Sequence, residues 1–190
     1  MDFGKNKVFC VGLPRTGSTS LAHAGHLLGY KIVHGNIPML WSLSVGDITI
    51  LHGNDGLNFF ADEPYISLWE TFYRIYPKAK FILTVRDLSS WLKSIEYMFK
   101  EHQVRWDPAI RKFQLRIWKI TSDFYKGKIN YVFLTKWYFK HNGAIISTIP
   151  KEQLLILPIE IPNENKWWNL CAFLGKVIPE EEYPHLNERR

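Results

Sequence analysis

One stretch near the start of the chain, residues 7–21, reads KVFCVGLPRTGSTSL and decides the fold. Its apolar residues 8–11 predict a buried strand. The glycine-bounded segment that follows predicts a loop, and the serines and threonines after it predict the first turn of a helix. A loop in this position presents backbone N–H groups and the positive end of a helix dipole to an anion, usually a phosphate. The stretch therefore predicts an anion-binding loop.

The spacing of Gly12 and Gly17, followed by a serine and a threonine, is nearly that of a Walker A loop. Ser18 occupies the position of the Walker lysine, and the loop carries its cation at Arg15 instead. We therefore expect a loop that holds a phosphate-like group but lacks the usual lysine of a nucleoside-triphosphate hydrolase or kinase. The alternative is a plain strand-to-helix turn, in which Thr16 or Ser18 caps the helix and the glycines only permit the turn.

The composition is that of a globular protein. The chain has 190 residues, of which 46% are hydrophobic, so it is long enough to bury a core, and we expect one domain over residues 1–190. No apolar run reaches the roughly 20 residues of a membrane span, and no signal peptide is visible. We therefore expect no membrane span and a cytoplasmic location. The two cysteines, Cys10 and Cys171, lie in apolar stretches and are expected to be reduced core residues.

The net charge is +6 at pH 7, and the isoelectric point is about 9.2. A basic balance favours anionic ligands. The lysines and arginines are scattered and no recognition motif accompanies them, so we expect no nucleic-acid partner. No spacing of cysteines and histidines is typical of a metal site, and we expect none. The sequence does not indicate the oligomeric state.

Strand-like and helix-like segments alternate along the chain, which predicts an α/β fold with a parallel sheet of about five strands flanked by helices. The strands are expected at 7–11, 31–34, 57–61, 80–85 and 153–157. The helices are expected at 18–28, 39–45, 65–76, 89–100, 108–125, 130–149 and 165–174. Ser89 is expected to cap the helix that follows it.

Three predicted strand ends carry residues suited to a binding site, because ligands of open α/β sheets lie at the carboxyl ends of the strands. The first strand leads to the loop and its arginine, and the third leads to Asp62 and Glu63. The fourth leads to Arg86, and Ser94 follows eight positions later on the next helix. An arginine and a hydroxyl in this arrangement are suited to hold a second phosphate. The alternative for Arg86 is a helix cap or an ion pair, for example with Asp87.

These motifs resemble those of the sulfotransferases. Residues 12–21, GLPRTGSTSL, are similar to the 5′-phosphosulfate loop of that family. Residues 81–87, FILTVRD, followed by Trp91 and Ser94, are similar to its 3′-phosphate site. Residues 168–187 are similar to the ending of a subgroup of small bacterial and eukaryotic sulfotransferase-like proteins. The resemblance covers nearly the whole chain, and the order and spacing of the motifs make it specific.

The resemblance implies a P-loop-type fold with 3′-phosphoadenosine 5′-phosphosulfate (PAPS) as co-substrate. It also implies in-line transfer of the sulfuryl group to an acceptor hydroxyl or amine, without a metal. Arg15 is implied to bind the donor and to stabilise charge on the bridging and leaving oxygens, in the place of a lysine found in many relatives. Arg86 and Ser94 are implied to bind the 3′-phosphate. The residues implied to hold the 5′ end are Thr16, Gly17, Ser18, Thr19 and Ser20.

A general base is needed to deprotonate the acceptor. Many sulfotransferases place a histidine two residues before a proline at the end of the third strand, and here Asp62 stands in that relation to Pro64. Asp62 is therefore our first candidate base and Glu63 the second. His34, at the end of the second strand, is the third, with contact to the acceptor as its other role. The alternatives are that Asp62 caps the following helix and that His34 has no role.

The sequence does not identify the small-molecule acceptor. Aromatic residues within 35–60 and 100–145 predict an apolar acceptor pocket, although the same residues equally describe a core. The tryptophans considered for stacking on adenine, which the sequence does not rank, are Trp41, Trp69, Trp91, Trp137 and Trp168. The glycine-rich C-terminal 3′-phosphate loop of cytosolic sulfotransferases is absent, and Arg189 or Arg190 is a candidate to replace it. The rival interpretations are a kinase with a deviant P-loop and a non-catalytic nucleotide-binding protein.

Overall fold

The computed structural model describes residues 7–44, 56–101 and 128–186, and it builds five strands into one sheet. The strands are β1 Val8–Cys10, β2 Ile32–His34, β3 Phe59–Ala61, β4 Lys80–Val85 and β5 Leu154–Pro158. They lie in the order β2-β3-β1-β4-β5, and every neighbouring pair is parallel. The predicted α/β fold with a parallel sheet of about five strands is confirmed, and β4 has the predicted bounds.

Helices connect the strands and cover the sheet. They are α1 Ser18–Leu27, α2 Ile37–Ser44, α3 Trp69–Ile75, α4 Leu88–Glu101, α5 Tyr131–Thr148 and α6 Asn163–Leu174. The helix predicted at 108–125 falls outside the described residues. The assignment of residues 1–190 to one domain stays a prediction.

The predicted start of α3 and the predicted cap of α4 are wrong. The helix expected from residue 65 begins only at Trp69, and residues 63–68 before it form successive turns. The cap of α4 is Asp87, whose Oδ1 accepts a hydrogen bond from Ser90 N at 2.9 Å, and not Ser89. An aspartate in this position satisfies one of the N–H groups that have no acceptor within the helix.

Both faces of the sheet are buried, as is usual for parallel sheets. Successive residues of β1 point to opposite faces, so Val8 and Cys10 cluster with α1 and α6. Phe9 lies on the other face, where its ring centroid is 4.7 Å from that of Phe60 and 5.1 Å from that of Phe72. The alternating burial fixes the register of β1 and therefore the position at which the following loop leaves the sheet.

A third cluster joins α4 to α5 at the carboxyl edge of the sheet. Its centre is Trp91, which is fully buried and whose ring centroid lies 5.0 Å from that of Tyr138. Both cysteines are buried and free, as predicted, and burial raises the pKa of Cys10 to about 12. None of the helices in the described ranges combines the length and the apolar character needed to cross a bilayer.

Candidate functional site

The loop after β1, residues 12–20, which we call the anion loop, passes very close to β4. A Cβ added to Gly12 would lie 2.0 Å from Thr84 Oγ1 and 2.5 Å from Thr84 O. Neither atom can withdraw far, since the threonine belongs to a central strand and is buried. Only a glycine therefore allows the loop to leave the sheet at this point.

The buried hydroxyl of Thr16 stabilises the anion loop through hydrogen bonds within it and to β4. Thr16 Oγ1 donates to Leu13 O at 2.6 Å and lies 2.7 Å from Thr84 Oγ1. Because the single proton of Thr16 is already used, the Thr84 hydroxyl donates in the second contact. The structure thus uses the Thr16 side chain within the loop, and its contact to a bound donor stays a prediction.

Gly17 lies where the anion loop enters α1, and its φ of 90° is in the left-handed region that favours glycine. Gly17 is itself the N-cap residue of α1, so the alternative in which Thr16 or Ser18 caps this helix is wrong. The first N–H groups of a helix have no acceptor within it, and the helix dipole adds about half a positive charge there. The start of α1 is therefore suited to an anion.

Arg15 is the residue on which the two predicted phosphate-binding motifs meet. It has a left-handed φ of 70°, and its Nε donates to Ser94 Oγ at 3.0 Å. Arg86 Nη1 donates to the carbonyl oxygen of Arg15 at 3.3 Å. Trp91 Nε1 donates to Pro14 O at 2.9 Å, which ties the loop to α4. The structure therefore brings Arg86 and Ser94 together against the anion loop.

Two of the three candidate bases meet at the ends of β2 and β3. His34 Nε2 lies 3.4 Å from both Ser18 Oγ and Thr19 Oγ1, and 3.9 Å from Asp62 Oδ2. The side chains of His34 and Asp62 are 30% and 35% exposed. Asp62 has a φ of 68°, and its Oδ1 accepts from Glu63 N at 2.9 Å, so it does not cap α3. The pair stands beside the start of α1, in reach of solvent.

Glu63, the second candidate base, lies elsewhere. Only 3% of it is exposed, and its Oε1 accepts a hydrogen bond from Ser67 Oγ at 2.8 Å. Its carboxylate is therefore inside the protein, and the accessible carboxylate at this strand end is that of Asp62.

The C-terminal part of the chain reaches the first turn of α1. Ser20 Oγ accepts a hydrogen bond from Leu186 N at 3.0 Å. The preceding residues are fixed by α6, since Trp167 Nε1 donates to Glu181 O at 2.8 Å and its ring packs against Tyr183. Sequence reasoning missed this contact of Ser20. The arginines at 189 and 190 lie outside the described residues.

A family described as a sulfotransferase domain matches residues 7–51 and 50–190. The chain belongs to the sulfotransferase family. A protein from Aspergillus versicolor, Ava biosynthesis cluster protein M, is 27% identical over an alignment of 214 positions that covers 95% of this chain and 80% of that protein. The crystal structure of a sulfotransferase from Alicyclobacillus acidocaldarius matches at 18% identity with a TM-score of 0.52, over 98% of this chain and 87% of that one. Its likeness confirms the predicted fold.

The family resemblance is thus confirmed, and the family and fold support an enzyme that transfers sulfuryl groups. In the described ranges, His, Cys, Asp and Glu side chains form no group of three or more that could hold a metal ion.

Two residues of α5 support the candidate site through hydrogen bonds to its backbone, and sequence reasoning assigned neither this role. The Tyr138 hydroxyl donates to Arg86 O at 2.6 Å, and His141 Nε2 donates to Val11 O at 2.7 Å. Burial lowers the pKa of His141, which keeps the imidazole neutral. The two side chains are three positions apart and share one face of the helix. No local pattern reveals them, since the same face of α5 also carries the buried Asn142 between apolar residues.

The tryptophans predicted as adenine platforms have different surroundings. Trp69 and Trp91 are buried, and Trp137 packs with its ring centroid 6.1 Å from that of Trp91. Trp168 is 65% exposed, and the side chain of Trp41 is outside the described part of the chain. The residue that stacks on adenine stays a prediction.

Proposed function

We propose that this sulfotransferase moves the sulfuryl group of PAPS to the hydroxyl or amine of a small-molecule acceptor. The observation that carries the proposal is the meeting of two anion-binding groups at Arg15. One is the start of α1, and the other is the pair formed by Arg86 and Ser94. PAPS carries anionic groups at both its 5′ and 3′ positions, so two adjacent anion sites fit it better than they fit a nucleotide with a single phosphate chain.

The 5′ end of the donor fits the first turn of α1. Backbone N–H groups at this turn point along the helix axis without internal acceptors. The hydroxyls of Ser18 and Thr19 stand at the same turn, and the contact that each makes to His34 is a long one of 3.4 Å. The Ser18 hydroxyl can therefore turn toward a sulfate or phosphate oxygen.

The 3′-phosphate fits Arg86 and Ser94. The guanidinium of Arg86 has five N–H donors, and its bond to the Arg15 carbonyl uses one of them. Ser94 Oγ accepts from Arg15 Nε and so keeps its own proton to donate. An arginine fork with a neighbouring hydroxyl suits a phosphate dianion.

Arg15 is the residue we assign to the leaving group. During transfer the bond from sulfur to the bridging oxygen breaks while the bond from sulfur to the acceptor forms, and negative charge grows on the leaving oxygen. A guanidinium placed in advance stabilises that charge without reorganisation. The hydrogen bond from Nε to Ser94 orients the group. Because Arg15 and Arg86 supply the positive charge, the proposed transfer needs no metal.

Asp62 is the base we propose. It is accessible, and its Oδ2 is directed to His34 rather than bound to backbone. In this role it accepts the proton of the attacking hydroxyl or amine. His34 is the second choice, since its ring lies between Asp62 and the start of α1. Glu63 is placed last because its carboxylate is buried against Ser67.

The test is a calorimetric titration of the protein with adenosine 3′,5′-bisphosphate (PAP), with AMP and with ATP, each in a magnesium chelator. We expect PAP to bind and AMP and ATP to bind much more weakly, because only PAP fills both anion sites. The titration of ATP is then repeated with magnesium. A preference for magnesium–ATP would contradict the proposal in favour of a kinase. Binding of PAP without turnover on any alcohol, phenol or amine acceptor would favour a non-catalytic binding protein.

A further inference from the structure

The carbonyl oxygen of Arg86 lies at a break between two regular elements. β4 ends at Val85, whose carbonyl oxygen still accepts a hydrogen bond from Ile159 N at 3.0 Å. The hydrogen-bonding of α4 begins with the next carbonyl along the chain, that of Asp87, which accepts from Trp91 N at 2.8 Å. Arg86 O therefore belongs to neither the sheet nor the helix, and its donor has to come from another part of the protein.

The hydroxyl of Tyr138 supplies that donor. It donates to Arg86 O at 2.6 Å, and only 8% of the residue is exposed. Burial raises the pKa of Tyr138, so the hydroxyl keeps its proton and remains a donor at neutral pH. This hydrogen bond joins α5 to the main chain at the point where the polypeptide turns from β4 into α4.

The ring of Tyr138 supports the anion loop at a second point. Its centroid lies 5.0 Å from that of Trp91, which is fully buried. Trp91 Nε1 in turn donates to Pro14 O at 2.9 Å, and Pro14 directly precedes Arg15. One side chain of α5 therefore contacts the main chain of Arg86 directly, and it contacts the loop that carries Arg15 through one intermediate.

The position of the Arg86 main chain decides where its guanidinium can reach. Arg86 Nη1 donates to Arg15 O at 3.3 Å, just beyond the usual range for such bonds, so the side chain is held loosely at its tip. The bond to the Arg86 carbonyl is shorter, at 2.6 Å, and is the firmer constraint. In the proposed site Arg86 meets the 3′-phosphate while the start of α1 holds the 5′ end. The ribose limits the distance between these two groups of the donor, so the spacing of the two protein sites has to match it.

We infer that Tyr138 is a positioning residue for donor recognition. Its hydroxyl sets the place of Arg86 relative to the anion loop, and thereby the preference for a nucleotide with a 3′-phosphate. The inference rests on the proposed function, since it concerns how the same site distinguishes PAP from AMP. Tyr138 acts through Arg86, because its single proton is used in the bond to the Arg86 carbonyl.

The test is the variant Tyr138→Phe, which keeps the ring against Trp91 and removes only the hydroxyl. We expect PAP to bind about three- to tenfold more weakly in the calorimetric titration, the effect of one lost hydrogen bond, and AMP to bind as before. In a turnover assay the KM for PAPS should rise by a similar factor. The kcat should change by less than about twofold, since Arg15 keeps its own bond to Ser94.

Tyr30→Phe is the matched control. Tyr30 follows the far end of α1, which is roughly 15 Å from the anion loop at the rise of a helix, so its effect on PAP affinity should be below about twofold. A second measurement introduces Tyr138→Phe into the Arg86→Ala variant. Because Tyr138 acts through Arg86, we expect no further loss of PAP affinity beyond about twofold in that background.

Three results would overturn the inference and leave the proposed function in place. Unchanged PAP affinity in Tyr138→Phe would show that the hydroxyl does not position Arg86. Equal weakening of PAP and AMP would mean that its loss loosens the whole site. An equal loss of PAP affinity with and without Arg86 would mean that the hydroxyl acts independently of that arginine. Absence of PAP binding by the wild type would overturn the proposed function and this inference together, so the wild-type titration separates the two failures.

Discussion

The two sides of the candidate site are held very differently. On the loop side, Thr16 Oγ1 donates to Leu13 O at 2.6 Å, and Trp91 Nε1 donates to Pro14 O at 2.9 Å. On the strand-end side, His34 Nε2 is 3.4 Å from its nearest hydroxyls and 3.9 Å from Asp62 Oδ2. One side is a network of short hydrogen bonds, and the other is a group of polar atoms at the outer limit of contact.

The difference matches the two tasks of a transferase. Stabilising charge on a leaving group requires donors that are fixed before the reaction, which a short-bonded network provides. A general base must leave its resting hydrogen-bond partner before it can take the proton of the acceptor. The hydrogen bonds of catalytic bases are therefore often long in the free enzyme and shorten only when substrate binds. We therefore expect substitutions on the strand-end side to affect turnover alone, and substitutions on the loop side to affect donor binding and stability as well.

Asp62→Asn is the sharpest test of the strand-end side and has the largest expected effect. The amide keeps an oxygen for the Glu63 N–H but cannot take a proton, so turnover should fall by about 10²–10⁴. PAP affinity should not change. The measurement is PAP release with the best acceptor from a screen of alcohols, phenols and amines, next to the calorimetric titration. Unchanged turnover would remove Asp62 from the mechanism and make His34→Gln the next variant.

Gly12→Ala tests the loop side. Its Cβ would collide with Thr84, so we expect a loss of about 3 kcal/mol or more in the free energy of unfolding. The substitution should also abolish PAP binding. Urea denaturation measures the change in the free energy of unfolding. The control is Gly143→Ala in α5, where a Cβ meets nothing within 4 Å and where alanine is expected to stabilise by up to about 1 kcal/mol. Equal effects of the two substitutions would contradict the close approach of the loop to β4.

Arg86→Ala separates the two anion groups of the loop side. We expect PAP to bind about ten- to a hundredfold more weakly, and AMP to bind as before, since only PAP carries a 3′-phosphate. The control is Arg74→Ala, an arginine that is 76% exposed on α3. Equal weakening of PAP and AMP would show that Arg86 supports the loop through its bond to Arg15 and does not contact the 3′-phosphate.

His141→Gln has the smallest expected effect, a change in how the stability of the protein depends on pH. Burial lowers the pKa of His141, so the unfolded chain takes up its proton at a higher pH than the folded protein does. The contribution of the neutral ring is therefore complete above about pH 6.5 and is lost as the pH falls below that value. Glutamine keeps an N–H for Val11 O but does not titrate. Urea midpoints at several pH values between 7 and 5 should fall more steeply for the wild type, whereas parallel profiles would contradict the assignment.

The features that the sequence predicted correctly are those that depend on residues close together in the chain. The bounds of β4 followed from a stretch rich in aliphatic, aromatic and β-branched residues, and the anion loop followed from two glycines between a strand and a helix. The meeting of Arg86 and Ser94 at the loop also agrees with a prediction, because a residue at a strand end and one two turns along the next helix lie near each other.

The rest depended on contacts between distant parts of the chain. Nothing near Glu63 in sequence shows that it turns inward to Ser67 while Asp62 stays accessible. The support of Val11 by His141 joins residues that are 130 positions apart, and no local pattern encodes it. The cap at Asp87 rather than Ser89 was a choice between two good capping residues, which only the register of α4 decides.

The hydrogen bond from Leu186 to Ser20 has a consequence for the order in which the protein is made. Its two partners are 166 positions apart, so at typical rates of translation they emerge roughly 10–30 s apart. During that interval the nascent chain already contains β1, the anion loop and the whole of α1, but not the segment that closes on the first turn of that helix. The first turn of α1 is thus synthesised well before the segment that completes its surroundings.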